Sequence, residues 1–535
     1  MEAKKKSLIP FFTRGDVGGL TYMITNNIVN YIIIIATLQY SYEWPAEIIF
    51  GRVIPGLSIG LLCGGLYYAW MAHKLSAKLQ RADVTALPSG ISTPAMFVIL
   101  FGVIGPIHYS IGDPEVEWGA AMAACFIGGF VEFLGGFIGP WVKKHLPRAA
   151  LLGTVAGIGF IWMATEGVFD VFSDPVVGLP ILAVAMLGLF AGYLFPKKIS
   201  PFMIAIVGGI VYAICLGRTT FDFTQVGFYF PNPVNTVQSL INGFAYVAPY
   251  LTVVIPVEIY NFIETMDNVE SANAAGDGYN VREAQFADGI CTMISSLFGG
   301  VVPNTVWLGH PGLKKTNAGA AYSWISGIVL GLAGIFGLFT VLDDLVPPAV
   351  VAITFLWCAV IMVAQAFKEC KPKHYAAIAI AMVPSIADYL FTQIEAAVAT
   401  GSMAIGGTEA GIFSSIIPET GMKGFLVEGF DVSKTLLDNG AMWNGVPAVK
   451  SGAIIIGILL GSMCVFMIDR KLKSASLIAF SGAVLSLFGF IHHAALGFYY
   501  TSPFMIGWLI VAVILFGLSF GEGKWFKAAD DFEYV

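Results

Sequence analysis

Ala86-Leu87-Pro88-Ser89-Gly90-Ile91-Ser92-Thr93-Pro94, set inside an apolar stretch, decides how the rest of this chain is read. Two prolines and a glycine within seven residues cannot continue an α-helix, because proline lacks the N–H and its ring clashes with the preceding turn. The backbone must open there, and opened backbone in a bilayer is tolerated only where protein or a water-lined cavity satisfies it. A second stretch is short, broken and polar in the same way: Val302-Pro303-Asn304-Thr305-Val306-Trp307-Leu308-Gly309-His310-Pro311-Gly312. Pro88 and Pro303 are 215 residues apart. Two interrupted segments in corresponding positions of two halves point to an inverted repeat with its binding site between the breaks.

The membrane setting follows from composition. The 535 residues are 57% hydrophobic and 12% charged, where a soluble domain carries about 25% charged residues, so an ordinary soluble enzyme is excluded. Apolar stretches long enough to span recur from end to end. They are expected at 18–38, 53–72, 83–106, 118–141, 149–167, 176–195, 201–217, 240–264, 285–301, 304–313, 320–341, 346–367, 374–392, 451–468, 475–497 and 503–520. Orientation follows from lysine and arginine, which collect in short cytoplasmic loops. With the N-terminus inside, 23 of the 28 basic residues fall on the cytoplasmic side, among them Lys74, Lys143, Arg148, Arg282, Lys314, Lys368 and Lys471. Both termini are expected in the cytoplasm and the protein in the plasma (inner) membrane. The expected domains are a tail at 1–14, a first repeat at 15–235, a second at 236–470 with an acidic extracytoplasmic insertion at 393–450, and two extra helices with a tail at 471–535.

No nucleic-acid patch stands out in a chain of net charge −7, and the seven cysteines form no CxxC pair. They read as buried thiols; no cofactor and no metal are expected. Glycines at close-packing spacing, such as Gly56, Gly60 and Gly64, belong to helix contacts and not to chemistry.

Polar groups at membrane depth carry more information, because a charge there persists mainly where it lines a cavity or finds a partner. The first span places Tyr22, Thr25, Asn26, Asn27 and Asn30 within about two turns, as interhelical glue or as a cavity wall. In the eighth, Glu258, Asn261, Glu264, Thr265 and Asn268 fall on one stripe about 120° wide at 100° per residue. That stripe, facing the two breaks, is the strongest functional signal. Glu132, Glu166 and Asp388 read as helix-end or interhelical residues, with local packing the first reading for Glu132, and His492 and His493 as interface groups near an outer helix end.

The residues quoted so far, with Ala82 to Phe97, Asn261-Phe262-Ile263-Glu264-Thr265-Met266-Asp267-Asn268 and Ala287-Asp288-Gly289, resemble the nucleobase:cation symporter-2 superfamily, closest to its adenine/guanine/hypoxanthine permease branch. The resemblance implies an all-α membrane fold of two inverted repeats of seven segments, divided into core and gate domains and commonly dimeric. Short strands would lie in segments three and ten, here near Ser89 to Ile91 and Asn304 to Val306. It implies a nucleobase-like, purine-class substrate held by Glu264, with Asn304, Thr305, Ser89, Gly90, Asn26, Tyr22 and Trp307 around it. Coupling would be to protons ahead of sodium, through Glu258, Glu264 or His310, carboxyl and imidazole groups able to exchange a proton. Where that family carries a second acid in the tenth segment, this chain has Trp307-Leu308-Gly309-His310. That loss favours the alternative, a transporter of a small inorganic or organic anion on the same fold. A membrane-embedded hydrolase is the weakest reading, since no HExxH-type spacing occurs.

Overall fold

The computed structural model describes residues 6–189, 191, 193, 201–219, 226–307, 309–345, 347–404, 415–417, 422–424, 426–427, 430–431, 438, 440, 443, 445–493 and 497–521. Among these, eight helices are long and apolar enough to cross a membrane: Arg14–Ser41, Ala46–Leu79, Pro114–Phe137, Arg148–Ser173, Pro233–Ala274, Ala349–Lys368, Pro372–Ile394 and Pro503–Gly521. Six shorter apolar helices accompany them: Thr93–His108, Pro175–Leu187, Ile204–Cys215, Ala321–Ile335, Ala453–Ile468 and Leu472–Leu487. Each expected stretch coincides with a helix, or with a strand followed by a helix.

Two boundaries differ from expectation. Within the Pro233–Ala274 run a tight Ala248–Tyr250 turn divides Pro233–Val247 from Leu251–Ala274, so the eighth span starts at Leu251 and runs to Ala274. Pro249 interrupts the helix there, and the run on to Ala274 places Glu264 in the middle of the helix and not at its end. The fifteenth ends at Leu487 and not near 497, where Gly489 takes a left-handed turn at φ 76°. The expected extracytoplasmic insertion lies for the most part outside the described residues, as do Lys4, Lys5, Lys197, Lys198, Lys434, Lys524 and Lys527.

At the centre, β1 (Ser89–Ile91) pairs antiparallel with β2 (Asn304–Val306), in the register Ser89↔Val306, Gly90↔Thr305 and Ile91↔Asn304. Trp307 N–H donates to Pro88 O at 2.7 Å and Ser92 N–H to Pro303 O at 2.8 Å, extending the ladder at both ends. The register has a geometric consequence. Advancing any first-half residue by the 215 residues that separate Pro88 from Pro303 carries Gly90 onto Thr305, Ser89 onto Asn304 and Ile91 onto Val306. Swapping the halves in this way returns the same set of pairs, so an approximate two-fold axis passes between Gly90 and Thr305. Inversion of two repeats requires such an axis.

Around this ladder packs the main apolar core, which includes Ile33, Ile34, Phe97, Phe101, Trp118, Val254 and Phe355. The second helix approaches the end of the ninth so closely that a Cβ at Gly56 would lie 2.2 Å from the Gly300 nitrogen. After the fourteenth segment, Ala453–Ile468, the Leu472–Leu487 and Pro503–Gly521 helices form a hairpin tied by Ser476 Oγ donating to Ala512 O at 2.8 Å.

Candidate functional site

A two-stranded ladder leaves each strand with an outer edge of unpaired N–H and C=O groups, which would be costly inside a membrane. Side chains take the place of a third and a fourth strand. On β1, Asn27 Oδ1 accepts from Ile91 N–H at 3.2 Å, while Asn30 Nδ2 and Trp307 Nε1 donate to Ile91 O at 3.3 and 3.1 Å. On β2, Asp288 Oδ2 accepts from Val306 N–H at 2.9 Å and Thr292 Oγ1 from Asn304 N–H at 3.0 Å. Asn268 donates to Val306 O at 2.8 Å and Asn261 to Asn304 O at 3.3 Å. Asn27, Asn30, Asn261 and Asn268 therefore hold broken backbone.

Behind β2 lies a fully buried polar knot. Thr265 Oγ1 sits 2.8 Å from Glu132 Oε1, 3.1 Å from Asp288 Oδ2 and 2.9 Å from Thr305 Oγ1. Asn261 Nδ2 donates to Glu132 Oε2 at 2.9 Å, and Tyr68 OH to Asp288 Oδ1 at 2.5 Å. Glu132, expected as an interhelical or local packing residue, ties the fourth span to the eighth.

In front of the ladder opens a cavity of about 660 Å³. Of the residues expected to bind substrate, Tyr22, Asn26, Glu264, Thr305 and Trp307 line it together; Asn30, Thr93, Pro94 and Trp357 complete the part nearest the strands, with Lys368 toward the mouth. Tyr22 and Trp307 meet edge to face, ring centres 5.9 Å apart at 83°. Thr93 Oγ1 donates to Asn30 Oδ1 at 3.0 Å. From Thr93 a helix runs away from the cavity to Ile111, continuous through a π-helical turn at Leu100–Ile104, and Ser92 provides no side-chain cap for its first N–H groups.

The cavity continues into a second recess of about 420 Å³ that shares Leu152, Tyr260, Glu264, Gln365 and Glu369 and adds Arg148 and Asp267. Here Arg148 pairs with Glu369 of the twelfth segment and lies 3.4 Å from Asp267 of the eighth. Glu264 stands between the two recesses, with its Oε2 buried and without a protein hydrogen-bond partner.

Other expected site residues lie elsewhere. Ser89, Gly90 and Asn304 form the ladder behind the cavity and do not line it. Gly90 lies under the Trp307 ring, where an added Cβ would meet it at 2.3 Å. Glu258 is about 9 Å along the helix from Glu264, fully buried against Gly128, with neither carboxyl oxygen partnered. His310 is also displaced: its Nε2 lies 3.1 Å from Thr85 O and 3.2 Å from Asp277 Oδ2, while Lys314 Nζ sits 2.7 Å from Asp277 Oδ1. That cluster clamps the loop leading into β1. Burial pushes the Asp277 carboxyl up, but hydrogen bonds from His310, Lys314 and the Thr85 N–H outweigh it and hold it below the usual carboxylate range.

Sequence reasoning missed Arg148 and Lys368, which it used only for orientation, and Thr93, which it quoted only as part of a break. Their signal was a polar residue next to a broken or terminal turn; what brings them to the cavity is contact between segments far apart in the chain.

No family model and no curated protein sequence matches the chain. Among solved structures, it superimposes on the transmembrane domain of a cyanobacterial bicarbonate transporter, BicA, at a TM-score of 0.50 and 16% identity, covering 74% of this chain and 100% of that one. The chain has that fold. SLC26A9 matches at a TM-score of 0.48 and 13% identity, over 70% of this chain and 62% of that one. The inverted-repeat fold implied by the sequence resemblance stands on the BicA match, which lends no support to the nucleobase branch.

Proposed function

We propose that this chain is a secondary transporter moving a small anion through the Tyr22–Thr305 cavity, with Glu264 as the group that takes up a coupling proton. One observation carries the reading: the cavity lies at the start of the 93–111 helix. Thr93 and Pro94 are in its wall; Pro94 has no N–H and Met96 N–H bonds Ser92 O, so the first turn leaves the N–H groups of Thr93 and Ala95 without a partner within the helix. Such an end carries about half a positive charge and suits an anion. Asn26, Asn30, Thr305 and Tyr22 surround it with amide and hydroxyl groups, and Lys368 adds a cation toward the mouth.

A lone carboxylate opposes a bound anion unless it is neutral, so a proton on Glu264 would accompany the anion. Alternating access would work between the two groups of segments that line the cavity, the first, third, eighth and tenth against Arg148–Ser173 and Pro348–Lys368. The mouth carries Arg148, Lys368 and Glu369, the end that the charge pattern assigns to the cytoplasm. The fold match to a bicarbonate transporter is in keeping with this reading.

A nucleobase is the second reading, favoured by a carboxylate and an aromatic pair in one cavity, since an ionised carboxylate is a strong acceptor for ring N–H groups. Thermal stabilisation separates the two, because a ligand at 100 times its Kd adds about 2.7 kcal/mol. The purified protein is expected to gain several degrees in Tm with bicarbonate, sulfate or a small carboxylate and none with purines. A shift with purines alone reverses the assignment.

A further inference from the structure

The cleft between the two groups of segments has a second end. Helix 93–111 enters the main cavity at Thr93 and Pro94, and its later residues Val98, Gly102 and Pro106 line a separate pocket of about 120 Å³. Arg148 is at the mouth of the main cavity, whereas Ile158 and Trp162 of the same long helix line this pocket, 10 to 14 residues on, or about 15–21 Å further along. The pocket therefore closes the cleft at the end opposite the mouth. Its outer wall is supplied by Gly489, Phe490 and His493, from the connection inside the C-terminal hairpin, a part of the chain outside the two repeats.

That connection is seated on residues 445–452, which lead into the fourteenth segment. His492 N–H donates to Ser451 O at 2.8 Å. Gly452, at φ 86°, leaves no room for a side chain, since an added Cβ would lie 2.7 Å from Ile491 Cγ2 and 2.8 Å from Phe490 O. His492 itself is held at φ 66°, a left-handed conformation that costs free energy in a residue other than glycine.

The two ring nitrogens of His492 fix its protonation state. Nδ1 lies 3.0 Å from Ala448 O, which can only accept, so Nδ1 carries a proton. Nε2 lies 2.8 Å from Trp508 Nε1, an indole N–H that can only donate, so Nε2 must be bare. Phe504 stacks on the ring with centres 4.7 Å apart. A second proton on this imidazole would set two N–H groups against each other in a nearly dry site.

We propose that residues 488–493 form a latch over the far end of the cleft, held by neutral His492 and released when His492 takes up a proton. Burial pushes this imidazole down to about 4 from its ordinary 6.5; the bond to Ala448 O opposes that shift and neighbouring His493 adds to it. The titratable or charged groups around the latch are His493, Tyr499 and Tyr500 in the connection, Lys450 beside the seat, Tyr250 ahead of the eighth span and Asp388 on the Pro384–Ala404 helix; the Pro503–Gly521 helix contributes none. The sign follows from linkage. The seated ring is harder to protonate than the released one, so the latch is at full strength above about pH 6.5 and weakens about tenfold per unit from there toward pH 4, roughly 10²-fold in all. The transporter reading gives the latch its meaning, as a gate on one side of the cleft, but the test needs no substrate.

The test is hydrogen exchange on the full-length protein in liposomes between pH 4.5 and 8, following segments 445–454 and 488–493. Variants are compared at the same pH so that intrinsic exchange rates cancel. Wild type is expected to lose protection in both segments together as pH falls below 6.5. His492→Gln, whose amide can donate to Ala448 O and accept from Trp508 at any pH, is expected to stay protected throughout. Trp508→Phe keeps the ring contact but removes the opposing N–H, so its protection starts lower at pH 8 and its pH slope is shallower. Equal protection of wild type and His492→Gln at every pH overturns the proposal. If His492→Gln does not fold, a Trp508→Phe profile parallel to wild type overturns it equally.

Discussion

Glu264 and Glu258 are six residues apart on one helix, and only one of them reaches the cavity. The proposed proton role makes Glu264→Gln a sharp variant. Loss of the titrating group should abolish uptake driven by a pH gradient while the Tm shift with the anion persists; a liposome flux assay beside a melting curve checks both. Driven uptake at the wild-type level in that variant removes Glu264 from the mechanism. Loss of ligand binding itself, by the factor of about 10–100 expected of a charge-assisted hydrogen bond, would favour the nucleobase. Gly90 tests the wall. A methyl group there meets the Trp307 ring at 2.3 Å and Asn27 Oδ1 at 2.6 Å, so Gly90→Ala should destabilise by about 1–3 kcal/mol, as overpacking does, and weaken binding by displacing the indole. Glu264, Tyr22, Asn26, Thr305 and Trp307 were legible in the sequence because polar groups next to broken helix are rare in a membrane chain. His310 misled for the same reason: it is polar and near a break, but its carboxylate partner, Asp277, lies in a loop 33 residues earlier that no local pattern connects to it.

At the scale of elements, the two breaks were legible because proline and glycine leave the backbone few alternatives there, and the family resemblance is what placed strands within them. The reason for the polar stripe was not. Asn261 and Asn268 serve as hydrogen-bonding edges for β2, and that duty depends on a register between segments that only the folded chain displays. Thr265 is the junction of the buried knot, touching Glu132, Asp288 and Thr305 through one hydroxyl. Thr265→Val keeps the shape and removes the hydroxyl, whose single proton serves one carboxylate at a time, leaving a buried acceptor short of a donor at about 1–3 kcal/mol. A lower Tm is expected in detergent, with the secondary structure seen by circular dichroism unchanged. A Tm within a degree of wild type would mean that the knot stabilises nothing.

Across the whole molecule, the 215-residue offset was readable from Pro88 and Pro303 alone, and the antiparallel pairing of Gly90 with Thr305 gives it physical form. The hairpin after the repeats was legible as two extra helices, but its seat on residues 445–452 was not, because Gly452 has meaning only with Phe490 and Ile491 above it. The central ladder also governs how such a chain can be made. The first span can satisfy the outer edge at Ile91, but the ladder partners of residues 88–92 are residues 303–307, and a ribosome adding about 5–20 residues per second needs roughly 10–40 s to reach them. During that interval the first half already lies in or beside the translocation machinery with a stretch of backbone that lipid cannot satisfy. Biogenesis of this fold therefore includes a waiting step, and whatever holds residues 88–92 through it acts on the nascent chain before any cavity exists.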